Sequence, residues 1–423
     1  LRFHFVTLGC KVNQFETAAM TELLRRRGHE LCDREADAVI INTCAVTAES
    51  VRKSRQAVRR ARKDFPGAIV AVCGCASQAD ADEMAGIGAD LVGGSGDRAE
   101  FVDRLCELAV EKPSAPAVDA GDPMKRRAFE LLPAKAAEWR TRALLKVEDG
   151  CANYCAYCII PHVRGPVRSL AASDAAAQAK GLAAEGFKEI VLTGIELASW
   201  GRDLPGRPGL GELIRDVALA VPDARIRLGS LEPRVVTPEF TAALRELKNV
   251  APHFHLSLQS GCDATLERMR RRYGTERFFQ SVELLRGAFP LCGLTADLIC
   301  GFPGETEEDA EETLRFIERC RFSDMHIFPF SPRPGTPAAE MEGRVPNAVK
   351  AARCAAASAV AERMRAEFLD SLAGTVQDVV FEQGGTGHSG NYCLVSAPGA
   401  EPGMRADVRV SGRDGDVLTG DLL

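Results

Sequence analysis

Three thiols stand close together in Cys151-Ala152-Asn153-Tyr154-Cys155-Ala156-Tyr157-Cys158. Three thiolates can hold three irons of a four-iron, four-sulfur cluster, whereas closed ferredoxin sites use four cysteines. The fourth iron is then left for a small molecule. Zinc is the competing reading. It usually takes four ligands, commonly as two pairs, and only His162 follows at a zinc-like distance. Inert thiols are the third possibility. The spacing favours the cluster.

The elements that must position these thiols are read from periodicity. Residues 1–112 alternate strand and helix. Strands are predicted over Phe3–Leu8, Ala38–Asn42, Ala68–Val72 and Ala89–Val92. Helices are predicted over Thr17–Arg27, Glu49–Lys63, near Gln78–Met84 and over Arg98–Glu111. That rhythm predicts an open parallel sheet with helices on both faces. Cys10, Cys44 and Cys75 each fall just past a predicted strand, and the carboxyl ends of such strands form the ligand crevice. Three such placements in three consecutive strand ends point to a second metal site. Ordinary buried thiols are the alternative. Cys73 lies two residues before Cys75, which predicts the same face of the strand. Residues 113–140 contain Pro113, Pro116, Gly121, Pro123 and Pro133, and read as a linker.

A second alternation runs from 141 to about 335. Strands are predicted over Ala143–Val147, Glu189–Leu192, Arg225–Leu228, His253–Leu258, Gly293–Leu298 and Asp324–Phe328. Helices such as Asp174–Glu185, Leu210–Ala218, Pro238–Glu246, Phe278–Phe289 and Glu308–Arg319 lie between them. Six strand–helix units suggest a partial β/α barrel; periodicity alone does not separate it from an open sheet. The cysteine loop follows the first strand. Polar or glycine-rich loops follow the others, at Thr193-Gly194-Ile195-Glu196, Ser230-Leu231-Glu232-Pro233, Gln259-Ser260-Gly261, Cys300–Gly304 and Pro329–Pro332. Such loops at successive strand ends predict a ring around one cavity. From about 366 the chain turns to short strands: Gly374–Glu382, Tyr392–Ser396, Arg405–Val410 and Val417–Leu422. These suggest a small five-stranded barrel.

Composition bounds the function. The 423 residues are 46% hydrophobic and 26% charged, enough for two or three folded domains. No membrane span or signal peptide is expected. Fifteen cysteines point to a reducing cytoplasm, where thiols bind metal or do chemistry. The net charge of −6 does not advertise nucleic-acid binding, and the residues from Ala366 onward, with three Arg against nine Asp or Glu, are acidic too. Basic runs lie at Arg52–Lys63 and at Arg268–Arg272. Each has the ordinary reading of a solvated helix face. The second follows a strand-end loop and could meet a phosphate.

These residues carry a family resemblance that spans the chain. Cys151, Cys155 and Cys158, with the aromatic Tyr157 before the last, resemble the signature of radical S-adenosylmethionine (SAM) enzymes. Thr7-Leu8-Gly9-Cys10-Lys11-Val12-Asn13-Gln14, Asn42-Thr43-Cys44 and Gly74-Cys75-Ala76-Ser77-Gln78 are similar to the amino-terminal domain of the methylthiotransferases. Within them, Gly9–Gln14, Arg225–Pro233, Arg268–Tyr273 and His326–Pro332 resemble the subgroup acting on N6-threonylcarbamoyladenosine in tRNA. Glu196 stands where that subgroup has a histidine, Trp200 and Phe15 stand for tyrosines, and Cys73 is extra.

The resemblance implies an α/β chain in three parts. They are a flavodoxin-like parallel-sheet domain over 1–112, a partial (β/α)6 radical SAM barrel over 141–365 after the linker 113–140, and a small all-β TRAM-like barrel over 366–423. It implies two [4Fe-4S] clusters, on Cys151, Cys155 and Cys158 and, as an auxiliary cluster, on Cys10, Cys44 and Cys75. No catalytic residue beyond the cluster ligands is implied. The first cluster would bind SAM and split it with one electron, giving the 5′-deoxyadenosyl radical. The second would carry the sulfur, and a second SAM the methyl group. Tyr157, Thr193, Gly194, Ser230, Glu232 and Gln259 are assigned to the SAM pocket, and Arg270, Arg271 and Arg272 to the substrate. The product expected is a methylthio group on C2 of N6-threonylcarbamoyladenosine at tRNA position 37, in the anticodon stem-loop. A reductant such as flavodoxin or ferredoxin and an external sulfur donor are the further partners implied. The alternatives are the same chemistry on isopentenyladenosine or on a ribosomal protein side chain, and a non-catalytic iron–sulfur scaffold or sensor.

Overall fold

The computed structural model describes residues 1–110, 114–135 and 141–423. Glu111, the expected end of the fourth helix, and Pro113, the start of the expected linker, lie outside them. The first sheet has the strands β1 Arg2–Thr7, β2 Glu30–Leu31, β3 Ala38–Thr43, β4 Ile69–Gly74, β5 Leu91–Gly93 and β6 Ala117–Asp119. All neighbours are parallel, in the order β2-β1-β3-β4-β5-β6. The order reverses between β1 and β3, which opens a crevice at their carboxyl ends. Helices α1 Lys11–Arg26, α2 Ala48–Asp64, α3 Cys75–Ala79, α4 Ala81–Gly86 and α5 Arg98–Val110 cover the sheet. Strand alternation divides them. Phe3, Ile40 and Ala71 face Met20, Leu24 and Leu105 of α1 and α5, while Val39, Ile41 and Val72 face Val58 and Met84 of α2 and α4. β2 and β6 go beyond the four strands that periodicity predicts. Both are short edge strands, and β6 falls in the Pro- and Gly-rich stretch read as a linker, paired with β5.

Beyond residue 141 the chain forms β7 Arg142–Lys146, then β8 Glu148–Asp149, paired antiparallel with β9 Arg168–Ser169. The cysteine loop and α6 Ile160–Arg164 lie between β8 and β9. Then come β10 Glu189–Thr193, β11 Arg225–Leu228, β12 His253–Gln259, β13 Gly293–Cys300 and β14 Asp324–Pro329. Between them run α7 Ala172–Ala184, α8 Leu210–Ala220, α9 Pro238–Arg245, α10 Asp263–Arg268, α11 Thr275–Ala288 and α12 Glu307–Cys320. Two parallel sheets, β7-β10-β11 and β12-β13-β14, meet through the bridges Ile226–Val250 and Leu231–Leu256. Among the described residues β14 does not pair with β7, so the six strands make an open arc, a partial (β/α)6 barrel. Alternate residues such as Leu145, Ile190, Leu228, Phe254, Leu256 and Leu298 pack outward against the helices. The other set faces the interior.

Helices α13 Pro337–Glu340 and α14 Asn347–Asp370 lead to the tail, so residues 366–370 still belong to a helix. The tail strands β15 Val376–Phe381, β16 Thr386–Ser389, β17 Leu394–Ser396, β18 Arg405–Asp414 and β19 Val417–Leu422 close into a barrel. It is held at the amino-terminal ends of the arc strands. Arg225 donates to the Asp378 and His388 carbonyls at 2.7 and 2.8 Å, and Arg227 to those of Gly390 and Ser389 at 2.9 and 3.0 Å. Glu189 holds both guanidiniums from below.

Candidate metal and cofactor site

Cys10 is the N-cap of α1, Cys44 follows β3, and Cys75 opens α3 after β4. The local backbone is built for these positions. A Cβ on Gly9 (φ +95°) would lie 2.8 Å from Cys44 Cβ, and one on Gly74 (φ +108°) 2.4 Å from the Thr43 carbonyl oxygen. Only glycine fits such close approach at positive φ. Asn13 ties the loops after β1 and β3, donating to the Leu8 and Thr43 carbonyls at 2.8 and 2.9 Å. Thr43 Oγ1 accepts from the Ala76 and Ser77 N–H groups, each at 3.2 Å, and so caps α3. Burial pushes all three thiols up, and each also feels another: Cys10 feels Cys44, Cys44 feels Cys75, and Cys75 feels Cys10.

Cys73 does not share the face of Cys75. It packs with Ile69 and Ala71 towards α1 and α5, whereas Cys75 packs with Val70 and Val72 on the other side. The chain turns at Gly74, which ends the two-residue period. Burial raises the Cys73 thiol to about 11.

In the downstream loop, Cys151 and Cys155 are buried and Cys158 is half-buried. The Asn153 N–H points at Cys151 Sγ, 3.5 Å away, and Arg271 Nη1 donates to Cys155 Sγ at 3.1 Å. Burial raises Cys151 far up and Cys158 to about 12, and Cys158 feels both Cys155 and Cys75. Ile159, next to Cys158, packs in one cluster with Cys75, so the two trios adjoin. Among the described residues no three Cys, His, Asp or Glu converge closely enough to hold a single metal ion. A four-iron cube holds its cysteines at separate corners, farther apart than one zinc does. Each trio has the three thiols that would hold three irons of such a cube.

Of the residues assigned to SAM, Gly194 stands beside the strand that leads into the downstream loop. Glu148 Oε2 accepts the Glu196 N–H at 2.7 Å, and Gly194 lies against Glu148. Asn153 donates to Glu196 Oε2 at 2.9 Å. Burial and then Glu232 raise Glu196 to about 7, with Arg271 opposing. Burial also lifts Glu148 well above its usual value, and its Oε1 has no partner. Tyr157 packs in a cluster with Phe302 and Phe330 and feels Arg271. Thr193 is buried at the end of β10, Ser230 is exposed after β11, and Gln259 ends β12 at φ +70°. Of the three arginines assigned to the substrate, Arg270 is exposed and Arg272 reaches the Ala152 carbonyl at 3.2 Å. Arg271 instead serves Cys155 and Tyr273.

Sequence reasoning missed the link between the trios. Glu16 of α1 is buried and takes Arg98 at 2.9 Å, Lys146 at 2.9 Å and Arg164 at 2.5 Å. Asp149 takes Lys146 at 2.7 Å, Arg168 at 3.2 Å and Arg164 at 3.4 Å. Burial pushes the Glu16 carboxyl up, but Arg164, Arg98 and Lys146 together hold it well below the usual range. Two carboxylates against four cations leave the group at +2. Arg164 Nε points that charge at Cys75 Sγ, 3.2 Å away. Uncompensated buried charge costs several kcal/mol per ion (roughly). An anionic, metal-bound thiolate trio would supply counter-charge, so the chemistry of this surround fits an iron–sulfur cluster.

The chain matches two families, described as Radical SAM superfamily over residues 145–317 and as Uncharacterized protein family UPF0004 over residues 2–94. It is 37% identical over 419 residues to threonylcarbamoyladenosine tRNA methylthiotransferase MtaB of Bacillus subtilis (strain 168), covering 96% of this chain and 92% of that one. It is 38% identical over 349 residues to the protein of the same name from Thermotoga maritima, covering 82% and 79%. Among solved structures it resembles the radical S-adenosylmethionine methyltransferase TsrM of Kitasatospora setae, with TM-score 0.59 and 16% identity over 80% of this chain and 76% of that one. That last likeness is one of fold.

Proposed function

The chain belongs to the radical S-adenosylmethionine methylthiotransferase family, and from that premise we propose that it adds a methylthio group to C2 of N6-threonylcarbamoyladenosine at position 37 of tRNA, next to the anticodon. The observation that carries the reading is the pair of adjoining three-cysteine sites joined by one buried ion network. Cys151, Cys155 and Cys158 would hold the cluster that meets SAM, and Cys10, Cys44 and Cys75 a second cluster. The bound clusters and SAM supply the one-electron cleavage that activates an unreactive C–H bond, and the sulfur and methyl that replace its hydrogen.

The chain's own groups prepare that site. Arg271 places a fixed cation on Cys155 Sγ, 3.1 Å away. Tyr157, Thr193, Gly194, Ser230, Glu232 and Gln259 would form the wall for SAM. Glu196 and Glu232 crowd each other there, so a cationic amine beside them would be welcome. Asn13, Thr43 and the two glycines hold the upstream thiols in place. A reductant such as flavodoxin or ferredoxin and an external sulfur donor complete the reaction. This reading places the protein in the cytoplasm. No helix among the described residues is long and apolar enough to cross a membrane.

Mass spectrometry of tRNA nucleosides tests the substrate. Cells lacking the protein are expected to lose the 2-methylthio nucleoside and accumulate N6-threonylcarbamoyladenosine. An unchanged level overturns the assignment. An anaerobic iron and sulfide count per chain tests the second cluster.

A further inference from the structure

One cavity is not used by the thiol sites. It has a volume of about 880 Å³ and lies inside the strand arc, towards the amino-terminal halves of the strands. That size suits a small-ligand site. All three parts of the chain build its wall: Lys11 from α1, Arg142, Arg227, His253 and His326 from the arc, and Tyr392 from the tail. Leu144, Val191 and Leu228 give it an apolar side.

The polar groups on this wall are unequally satisfied. Arg227 is held by Glu189 at 2.7 Å and by two carbonyls, and Arg142 pairs with Glu382 at 2.9 Å. Asp324 is turned to Arg365, 3.4 Å away. Lys11 is exposed and has no hydrogen bond or ion pair among the described residues, although it lines the cavity. Among the described residues His326 meets the rings of His255 and Phe328. His253 is buried, its Nε2 stands 3.3 Å from Thr295 Oγ1, and its Nδ1 has no partner. A free ammonium beside two paired guanidiniums suits an anion. The exposed His326 ring and the unpartnered His253 Nδ1 suit a group that also carries hydrogen-bonding atoms.

An N6-threonylcarbamoyl group has that chemistry: a carboxylate, a hydroxyl and a urea link. An isopentenyl group has none of it, and would leave Lys11 covered and unpaired. Lys11 directly follows Cys10, so α1 carries both a thiol of the upstream trio and the cavity's free cation. We propose that this cavity takes the N6-threonylcarbamoyl group of the substrate base, with its carboxylate on Lys11 Nζ, and that this contact selects the substrate. The inference rests on the tRNA reading above.

The test is binding of an anticodon stem-loop to the full, anaerobically reconstituted protein. Three probes differ only at position 37: N6-threonylcarbamoyladenosine, its methyl ester, and plain adenosine. The wild type is expected to bind the acid about 10- to 100-fold more tightly than the ester. In Lys11→Gln that ratio falls to about 1, with the ester affinity and the iron content unchanged, and Lys11→Arg restores part of it. Because Lys11 neighbours Cys10, His326→Ala serves as a second variant on an exposed ring. It should weaken acid and ester alike, by about 3- to 10-fold relative to plain adenosine. Equal binding of acid and ester by the wild type, or a ratio that survives Lys11→Gln, overturns the proposal. Equal loss of acid and ester in Lys11→Gln also overturns it, since it would mark a phosphate contact. A wild type that prefers neither modified probe over plain adenosine and yields no methylthio product overturns the tRNA reading instead.

Discussion

Cys151, Cys155 and Cys158 occupy one loop, whereas Cys10, Cys44 and Cys75 stand on three separate strand ends. The loop is shaped by local backbone and the packing of α6 beside it. The dispersed trio exists only once β1, β3 and β4 have paired. Its geometry is therefore a property of the folded sheet, and metal held there is coupled to folding. The electrostatics differ as well. The upstream trio borders a buried group of net positive charge, with Glu16 held well below the usual carboxylate range. The downstream loop borders carboxyls pushed the other way, Glu148 and Glu196. Under the proposed function, the positive surround would offset the charge of the upstream thiolates, and the downstream acids would face the cationic sulfonium.

The largest effects should come from the thiols. Cys155→Ala is expected to lower 5′-deoxyadenosine formation by at least about 100-fold, or about 2.7 kcal/mol of barrier. Cys44→Ala should keep a measurable share of that cleavage yet form no thiomethylated product. Full product from Cys44→Ala would erase the distinction between the two sites.

Next is Glu16→Gln, which leaves Arg98, Lys146 and Arg164 without their shared anion. A loss of about 3 to 5 kcal/mol in urea unfolding is expected. If the dispersed trio depends on the sheet, upstream iron is lost first, read as a fall in iron per chain with SAM cleavage retained.

A smaller effect separates the two regions by pH. Glu196 is raised to about 7, so the folded protein binds a proton more tightly than the unfolded chain does. Its contribution is full below the usual glutamate range and is lost as pH rises through about 7. Glu196→Gln should match the wild type at acid pH and exceed it at pH 8, by about 1 to 3 kcal/mol. Equal stability at both pH values would place Glu196 in water. Cys73→Ala should be the mildest, with a cost of about 1 kcal/mol from its buried position and unchanged product.

The downstream trio can be proposed from sequence because its thiols are close together in the chain. The placement of the upstream thiols at strand ends was legible because strand–helix rhythm marks those ends. Other features leave no such trace. Glu16, Lys146, Asp149 and Arg164 are separated in sequence, and charges on a helix or in a loop read as solvated until the fold buries them. Arg271 sits in a basic run for the same reason. Cys73 misleads because the two-residue period stops at Gly74. Strands β2 and β6 are short exposed edges, and β16, Thr386–Ser389, has no apolar residue to alternate. The cavity is assembled from Lys11, His326 and Tyr392, which no local pattern joins.

Helix α1 has a consequence beyond its ligand. Its first turn caps with Cys10, Glu16 locks into the ion group one turn on, and Phe15 and Ala19 pack against Leu144 and Val191 of the arc. Sheet and arc are thus bolted through one short rod. Under the proposed function, oxidation that stripped metal from the upstream trio would also remove counter-charge from the bolt itself. The damage would then be mechanical as well as chemical, a loosened joint between sheet and arc.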